Sequence, residues 1–187
     1  LAKSWDVSAD GLTYTMKLRS GVRFHDGTAF DSTAVKWNFD RWGDTKNKNH
    51  VGGDFEYYTD VAGWGDIIKS VDAVDDLTVQ FNLKGPQGPF LLNMALGSFS
   101  IFSPASFELD PENAKRNPVG TGPYKFVEWV PGDKVVLEAN RGYWGDESNV
   151  DQVVVRTIPD NSARFLALKA GSIDMMDGVI PDDIATA

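Results

Sequence analysis

The sequence predicts an α+β (mixed α/β) fold in which hairpins and short helices share one chain. Strictly alternating runs, such as Leu12 to Arg19, stand beside runs with helical spacing, such as Asp31 to Trp42. Hairpins also recur between helices too often for a simple doubly wound parallel sheet. A third observation concerns size. At 187 residues and 42% hydrophobic side chains, the chain can bury a core across one or two domains, which argues against disorder.

The elements follow in order. Asp10-Gly11 is a strong turn dipeptide, and Leu12, Tyr14, Met16 and Leu18 alternate with Thr13, Thr15, Lys17 and Arg19, which predicts a hairpin. Ser20-Gly21 marks the next turn, after which Val22 and Phe24 share a face. Asp31 or Ser32 caps a helix running to Trp42, with Ala34, Val35, Asn38 and Trp42 on one side and Gly43 as its stop. Gly43 to Asp66 reads as a long surface loop with room for a short helix. Ile67 to Gly85 forms a second hairpin turning at Asp75-Asp76, with Val79, Phe81 and Leu83 on one face.

Gly88 to Gly97 is a short apolar helix, and Ser98 to Pro104 is extended. Pro111 opens a helix that ends before Pro118. Two strands flank the turn at Pro131-Gly132-Asp133, and Val153 to Ile158 adds another. Asp160 or Asn161 caps a helix closed by Gly171 in the left-handed position. "IDMM", Ile173 to Met176, reads as a short strand, and "PDDIATA" opens a last helix.

Composition excludes several functions. The net charge of -9 and the scattered Lys and Arg carry no nucleic-acid footprint and no polybasic run for anionic lipid. With no cysteine, disulfides, thiolate catalysis and Cys-ligated zinc are absent. No apolar run approaches the ~18 residues of a membrane span. The chain starts at Leu1, without a signal peptide, in what already reads as a mid-domain segment, so a piece of a longer protein is expected.

The candidate chemistry is thin. His25 stands beside Asp26, but neighbours on a strand point to opposite faces, and Asp26-Gly27 is a turn signal, so a structural turn is expected. With His50 the only other histidine, a His-rich metal site is not expected. Asp75-Asp76 and Asp182-Asp183 fall at turns or helix starts, and no acid pair is singled out for glycoside hydrolysis. "GTGPY", Gly120 to Tyr124, lacks the Lys-Ser/Thr of a phosphate loop and reads as a tight turn. Trp5, Tyr14, Phe24, Phe81 and Phe126 sit in periodic segments and are assigned to the core. Tyr57, Tyr58, Trp64, Phe99 and Phe102 lie in or beside irregular segments, where aromatic rings can line a ligand cleft, although packing outweighs that role for any one of them.

Three stretches then combine. "LAKSWDVSADGLTYTMKLRSGVRFHDGTAFDSTAVKWNFDR" closely resembles the signature region of family 5 extracellular solute-binding proteins, the dipeptide-, oligopeptide- and nickel-binding receptors of ABC importers. "NPVGTGPYKFVEWVPGDKVVLEANRGYWG" and "VRTIPDNSARFLALKAGSIDMMDGV" resemble the family's second and third hallmarks, in the family's order. Thr45 to Gly63 matches least.

The resemblance implies the first-lobe portion of a two-lobe periplasmic-binding-protein-like fold. Residues 1–103 would be its small extra subdomain, residues 104–187 part of its main sheet domain, and the second lobe would be absent. It implies an extracytoplasmic, monomeric, non-enzymatic receptor with no cofactor and no metal, which delivers cargo to a membrane permease. Ser98 and Phe99 are the implied ligand contacts, with Trp64 as a cleft aromatic. Nickel-complex binders tend to carry an Arg where Ser98 to Ile101 stands here, so peptide is favoured as cargo over a nickel complex or an oligosaccharide. A carbohydrate-active hydrolase is the remote alternative.

Overall fold

Period-2 alternation in two hairpins builds the first of two sheets in the computed structural model, which describes residues 1–51, 53 and 55–178. Strands β1 (Ala2–Val7), β2 (Thr13–Leu18), β3 (Ile68–Asp75) and β4 (Thr78–Leu83) lie antiparallel in the order β1-β2-β4-β3. Tyr14 pairs with Phe81 and Met16 with Val79, so the alternating apolar sets of β2 and β4 meet on one face. That face is the core, and Phe81 and Val79 are wholly buried in it. Both hairpin turns form where expected. Gly11 takes the left-handed conformation at φ +70° beside Asp10. The Asp75 carboxylate accepts from the Leu77 amide.

Helix α1 (Ser32–Gly43) covers this face. Asp31 caps it, accepting from the Ala34 amide at 2.8 Å. Its inner stripe is Ala34, Val35, Asn38, Phe39 and Trp42. Gly43 acts differently from a left-handed stop. A Cβ there would stand 2.6 Å from the Tyr58 hydroxyl, so the glycine makes room for that ring. Asn38, fully buried, donates to the carbonyls of Ala34 and Phe102 and accepts from the Phe102 amide. Its side chain therefore splices the segment before residue 103 onto the helix.

The segment after α1 is less of a surface loop than its composition suggests. Tyr57–Val61 form a π-helical turn, and α2 (Trp64–Ile67) follows Gly63 at φ +63°. Tyr58 and Trp64 point into the core, Trp64 with no exposure at all. Trp5 departs from expectation in the other direction. It pairs with Met16 and so faces the inner side of the sheet, yet it is 53% exposed. β1 is an edge strand beyond the reach of α1, and Trp5 only rims an apolar hollow floored by Met16, Val79 and Phe81. Phe126, also expected in the core, is half-buried.

Short helices α3 (Phe90–Met94), α4 (Pro104–Leu109) and α5 (Pro111–Arg116) link the two sheets. A 3₁₀ turn at Gly97–Phe99 occupies the start of the stretch expected to be extended. α4 was not anticipated; Pro104 opens it rather than closing the preceding piece, with Ser103 as its cap. Phe107 of α4 packs edge-on against Trp37 of α1 at 5.6 Å between ring centres.

Strands β5 (Tyr124–Val130), β6 (Lys134–Ala139) and β7 (Gln152–Arg156) form the second antiparallel sheet, in that order. Helix α6 (Asn161–Lys169) follows, capped by Asp160 and ended by Gly171 at φ +68°. Ile173 to Met176 is not a strand. It pairs with neither sheet, and Met175 is largely exposed. The helix expected at Pro181 to Ala187 lies outside the described residues.

The core makes a direct stability prediction. Phe81 touches Phe39 and Phe90, with ring centres 4.9 and 5.8 Å away. Phe81→Ala should cost about 3–5 kcal/mol. Val74→Ala, at an exposed position of β3, should change stability by less than about 0.5 kcal/mol. Urea denaturation of the three proteins checks both.

Candidate functional site

The His25-Asp26 pair is the first place to test for chemistry, and its geometry is that of a joint. Phe24, with its amide bonded to the Thr28 carbonyl, opens a tight turn in which Gly27 sits at φ +85°. The Asp26 carboxylate turns away from His25. One oxygen accepts from the Thr28 amide (2.9 Å) and hydroxyl (2.6 Å), and the other from the Ser103 hydroxyl (2.5 Å). The His25 ring donates through Nε2 to the Gly122 carbonyl at 3.0 Å, and its amide donates to the Gly120 carbonyl. Ser103 is fully buried, and its amide bonds to the Val119 carbonyl. No substrate can reach a serine enclosed in this way, so the Ser103-Asp26 contact is structural.

Burial pulls the Asp26 carboxyl up, but the bonds from Ser103 and Thr28 outweigh it and hold the group below the usual Asp range. Gly120-Thr121-Gly122 is the receiving loop of this joint. Its carbonyls accept from His25 and from the Asn140 amide group.

The second place is an open hollow of about 500 Å³ between the end of α1, the π-helical turn and the 3₁₀ turn. Trp42, Phe55, Tyr57, Tyr58 and Phe99 form its aromatic wall, and Glu56 and Ser98 supply its polar groups. Phe55 holds φ +51°, a left-handed backbone that a bulky residue rarely adopts. The Tyr58 phenol is pushed up to about 12 by burial and by the nearby Asp40 charge, so it stays neutral. Arg41 packs over Phe55 at 4.8 Å and over Phe107 at 4.1 Å while donating to the Val51 carbonyl, and burial lowers its pKa.

The three residues singled out from sequence divide here. Ser98 and Phe99 both line the hollow. Trp64 does not reach it. It lies behind Phe99, stacked at 3.9 Å between ring centres, and fixes that ring from the core side. Tyr57 and Tyr58 stand in the wall, whereas Phe102 turns to Phe107. Trp42, Phe55 and Glu56 were not anticipated in the site. Trp42 closes the helical stripe and gave only a core signal, and Phe55 and Glu56 sit in the least patterned stretch of the chain. Among the described residues, no group of three or more His, Cys, Asp or Glu side chains converges as a metal site. Among them, too, no helix is long and apolar enough to cross a membrane.

Two antiparallel sheets are thus bridged through the hydrogen-bonded turn at His25-Asp26-Gly27, with an open aromatic hollow on the first. The whole chain, residues 1–187, matches the family described as "Bacterial extracellular solute-binding proteins, family 5 Middle", and the chain belongs to that family. It is similar to the dipeptide-binding protein of Escherichia coli, at 36% identity over 198 aligned residues, covering 99% of this chain and 37% of that protein. The glutathione-binding protein GsiB of Pectobacterium atrosepticum is 40% identical over 172 residues, covering 91% of this chain and 32% of that one. Among solved structures, the periplasmic binding protein DppA of Helicobacter pylori, in complex with the peptide STSA, superposes with a TM-score of 0.90 at 39% identity. That superposition covers 100% of this chain and 39% of DppA. The chain thus spans about a third of the length of the curated relatives it matches.

The joint makes a pH prediction. The folded Asp26 carboxyl titrates below its unfolded value of about 3.9, so the unfolded state binds the proton first as pH falls. Its stabilisation is therefore complete above about pH 4 and is lost as pH drops through the lowered value. Asp26→Asn should melt at a lower temperature than the wild type near neutrality, and the gap should close as pH falls below about 4. Thermal melts of both proteins across that range check it.

Proposed function

We propose that this chain is the first-lobe portion of an extracytoplasmic substrate-binding receptor of an ABC importer, and that its cargo is a peptide. The observation that carries the reading is the match of the entire chain to the solute-binding family, with relatives named for dipeptide and glutathione binding. The hollow supports it. Its size falls within the range of small-ligand pockets, and it combines apolar rings with few polar groups.

In this reading, residues 1–103 with the first sheet form the small subdomain, and residues 104–187 with the second sheet belong to the main first-lobe domain. Ser98 and Phe99 touch cargo, and Trp64 holds Phe99 in place. A second lobe closes over the ligand by hinge motion, and the loaded, monomeric receptor docks on its membrane permease. The receptor performs no chemistry on the cargo and binds no nucleic acid.

Calorimetry of the full-length protein against di- to pentapeptides, cello-oligosaccharides and nickel chelates tests the reading. Stoichiometric peptide binding without hydrolysis is expected. Binding of a sugar or a nickel chelate in the absence of any peptide binding would overturn it. Ser98 is exposed in the wall of the hollow, so Ser98→Trp should fill the space and weaken peptide binding by about tenfold or more, with little change in melting temperature.

A further inference from the structure

We propose that the aromatic hollow at the end of α1 is the subsite for a cationic side chain of the cargo, a Lys or Arg of the bound peptide. This rests on the peptide-receptor reading and adds to it a preference between side chains. The shape alone would admit any elongated apolar group. The charges decide. Glu56 stands in the wall, its carboxylate exposed, and among the described residues it joins none of the ion pairs. It makes no capping bond at the turn it precedes. Among the described residues that carboxylate has no structural task, and it would repel an acidic ligand.

The rings around it suit a cation as well. Trp42, Tyr57, Tyr58 and Phe99 present aromatic surface on several sides, and the negative faces of such rings attract an ammonium or guanidinium group. The methylene stem of Lys or Arg would lie along the apolar wall while its head reaches Glu56. Phe55 already accepts a cation, because the Arg41 guanidinium lies 4.8 Å over its ring. Arg41 is also the opposing charge of the neighbourhood. Its place between Phe55 and Phe107 and its bond to the Val51 carbonyl hold it outside the lining of the hollow. Asp40 adds a second acid, close enough to act on the Tyr58 phenol, although it pairs with Lys36 at 2.9 Å. The chain's net charge of -9 favours a cationic ligand at longer range.

The test uses the full-length protein and tri-alanine peptides in which each position in turn carries Lys or norleucine, which shares the apolar stem but lacks the charge. At one position the Lys peptide should bind about tenfold tighter than its norleucine partner, and the advantage should shrink with added salt. Glu56→Gln, checked by thermal melt for unchanged folding, should abolish the advantage while leaving the norleucine affinity within about twofold. Equal affinities for Lys and norleucine at every position, or an advantage that survives in Glu56→Gln, would overturn this inference and leave the peptide reading standing. Failure of every peptide to bind would overturn both.

Discussion

The turn at His25-Asp26-Gly27 reaches both halves of the chain. From one short loop it sends the Asp26 carboxylate to Ser103, the His25 ring to Gly122 and the His25 amide to Gly120. Ser103 is the cap of α4, and Val119 to Gly122 lead into β5, so several of the links that tie the first sheet to the second meet here, beside the stacking of Arg19 on Trp144. A carboxylate accepting three bonds from short-range donors needs no long-range field to hold it, and each bond to a charged acceptor is stronger than a neutral one. The residues that look most like catalysis in the sequence are spent on holding the two sheets together.

The aromatic hollow is built on the first-sheet core. Its wall is the outer surface of a continuous aromatic cluster. Phe81 meets Phe39, Phe39 stacks near Trp64, Trp64 stacks on Phe99, and Phe99 opens to the hollow beside Trp42. Each ring buries large area with little side-chain entropy to lose, and tilted or offset contacts add to that burial. A ligand side chain entering the hollow therefore meets rings already fixed from behind, which lowers the ordering cost of binding.

Much of the architecture was legible before the structure. The alternation through Tyr14, Met16 and Leu18, the turn pairs at Asp10-Gly11 and Asp75-Asp76, and the caps at Asp31 and Asp160 are short-range signals, and each formed where expected. What stayed hidden depends on contacts distant in sequence. Trp5 has a core-like position in its strand but lies beyond the cover of α1. Trp64 and Tyr58 sit in a stretch without period, and only the turn of Gly63 and the space left by Gly43 bring them inward. Ser103-Pro104 carried a helix-start signal that a preceding extended run concealed. Ile173 to Met176 has strand-like composition, but among the described residues it pairs with no strand. Of the residues lining the hollow, Ser98 and Phe99 were singled out through family resemblance, whereas Phe55 and Glu56 lie in the segment that resembles the family least.

The buried amide of Asn38 has a consequence for the order of folding. Its bonds to both the amide and the carbonyl of Phe102 close a span of 64 residues that includes β3, β4 and α3. Such a closure is costly until the intervening hairpin has condensed onto α1, because the chain entropy must be surrendered first. The segment carrying Ser98 and Phe99 therefore locks late and cannot peel away alone without stranding a buried amide side chain. The wall of the hollow is therefore coupled to the first sheet. Denaturants that loosen β4 should erase the wall of the hollow in the same transition, so the hollow is as durable as the sheet that carries it.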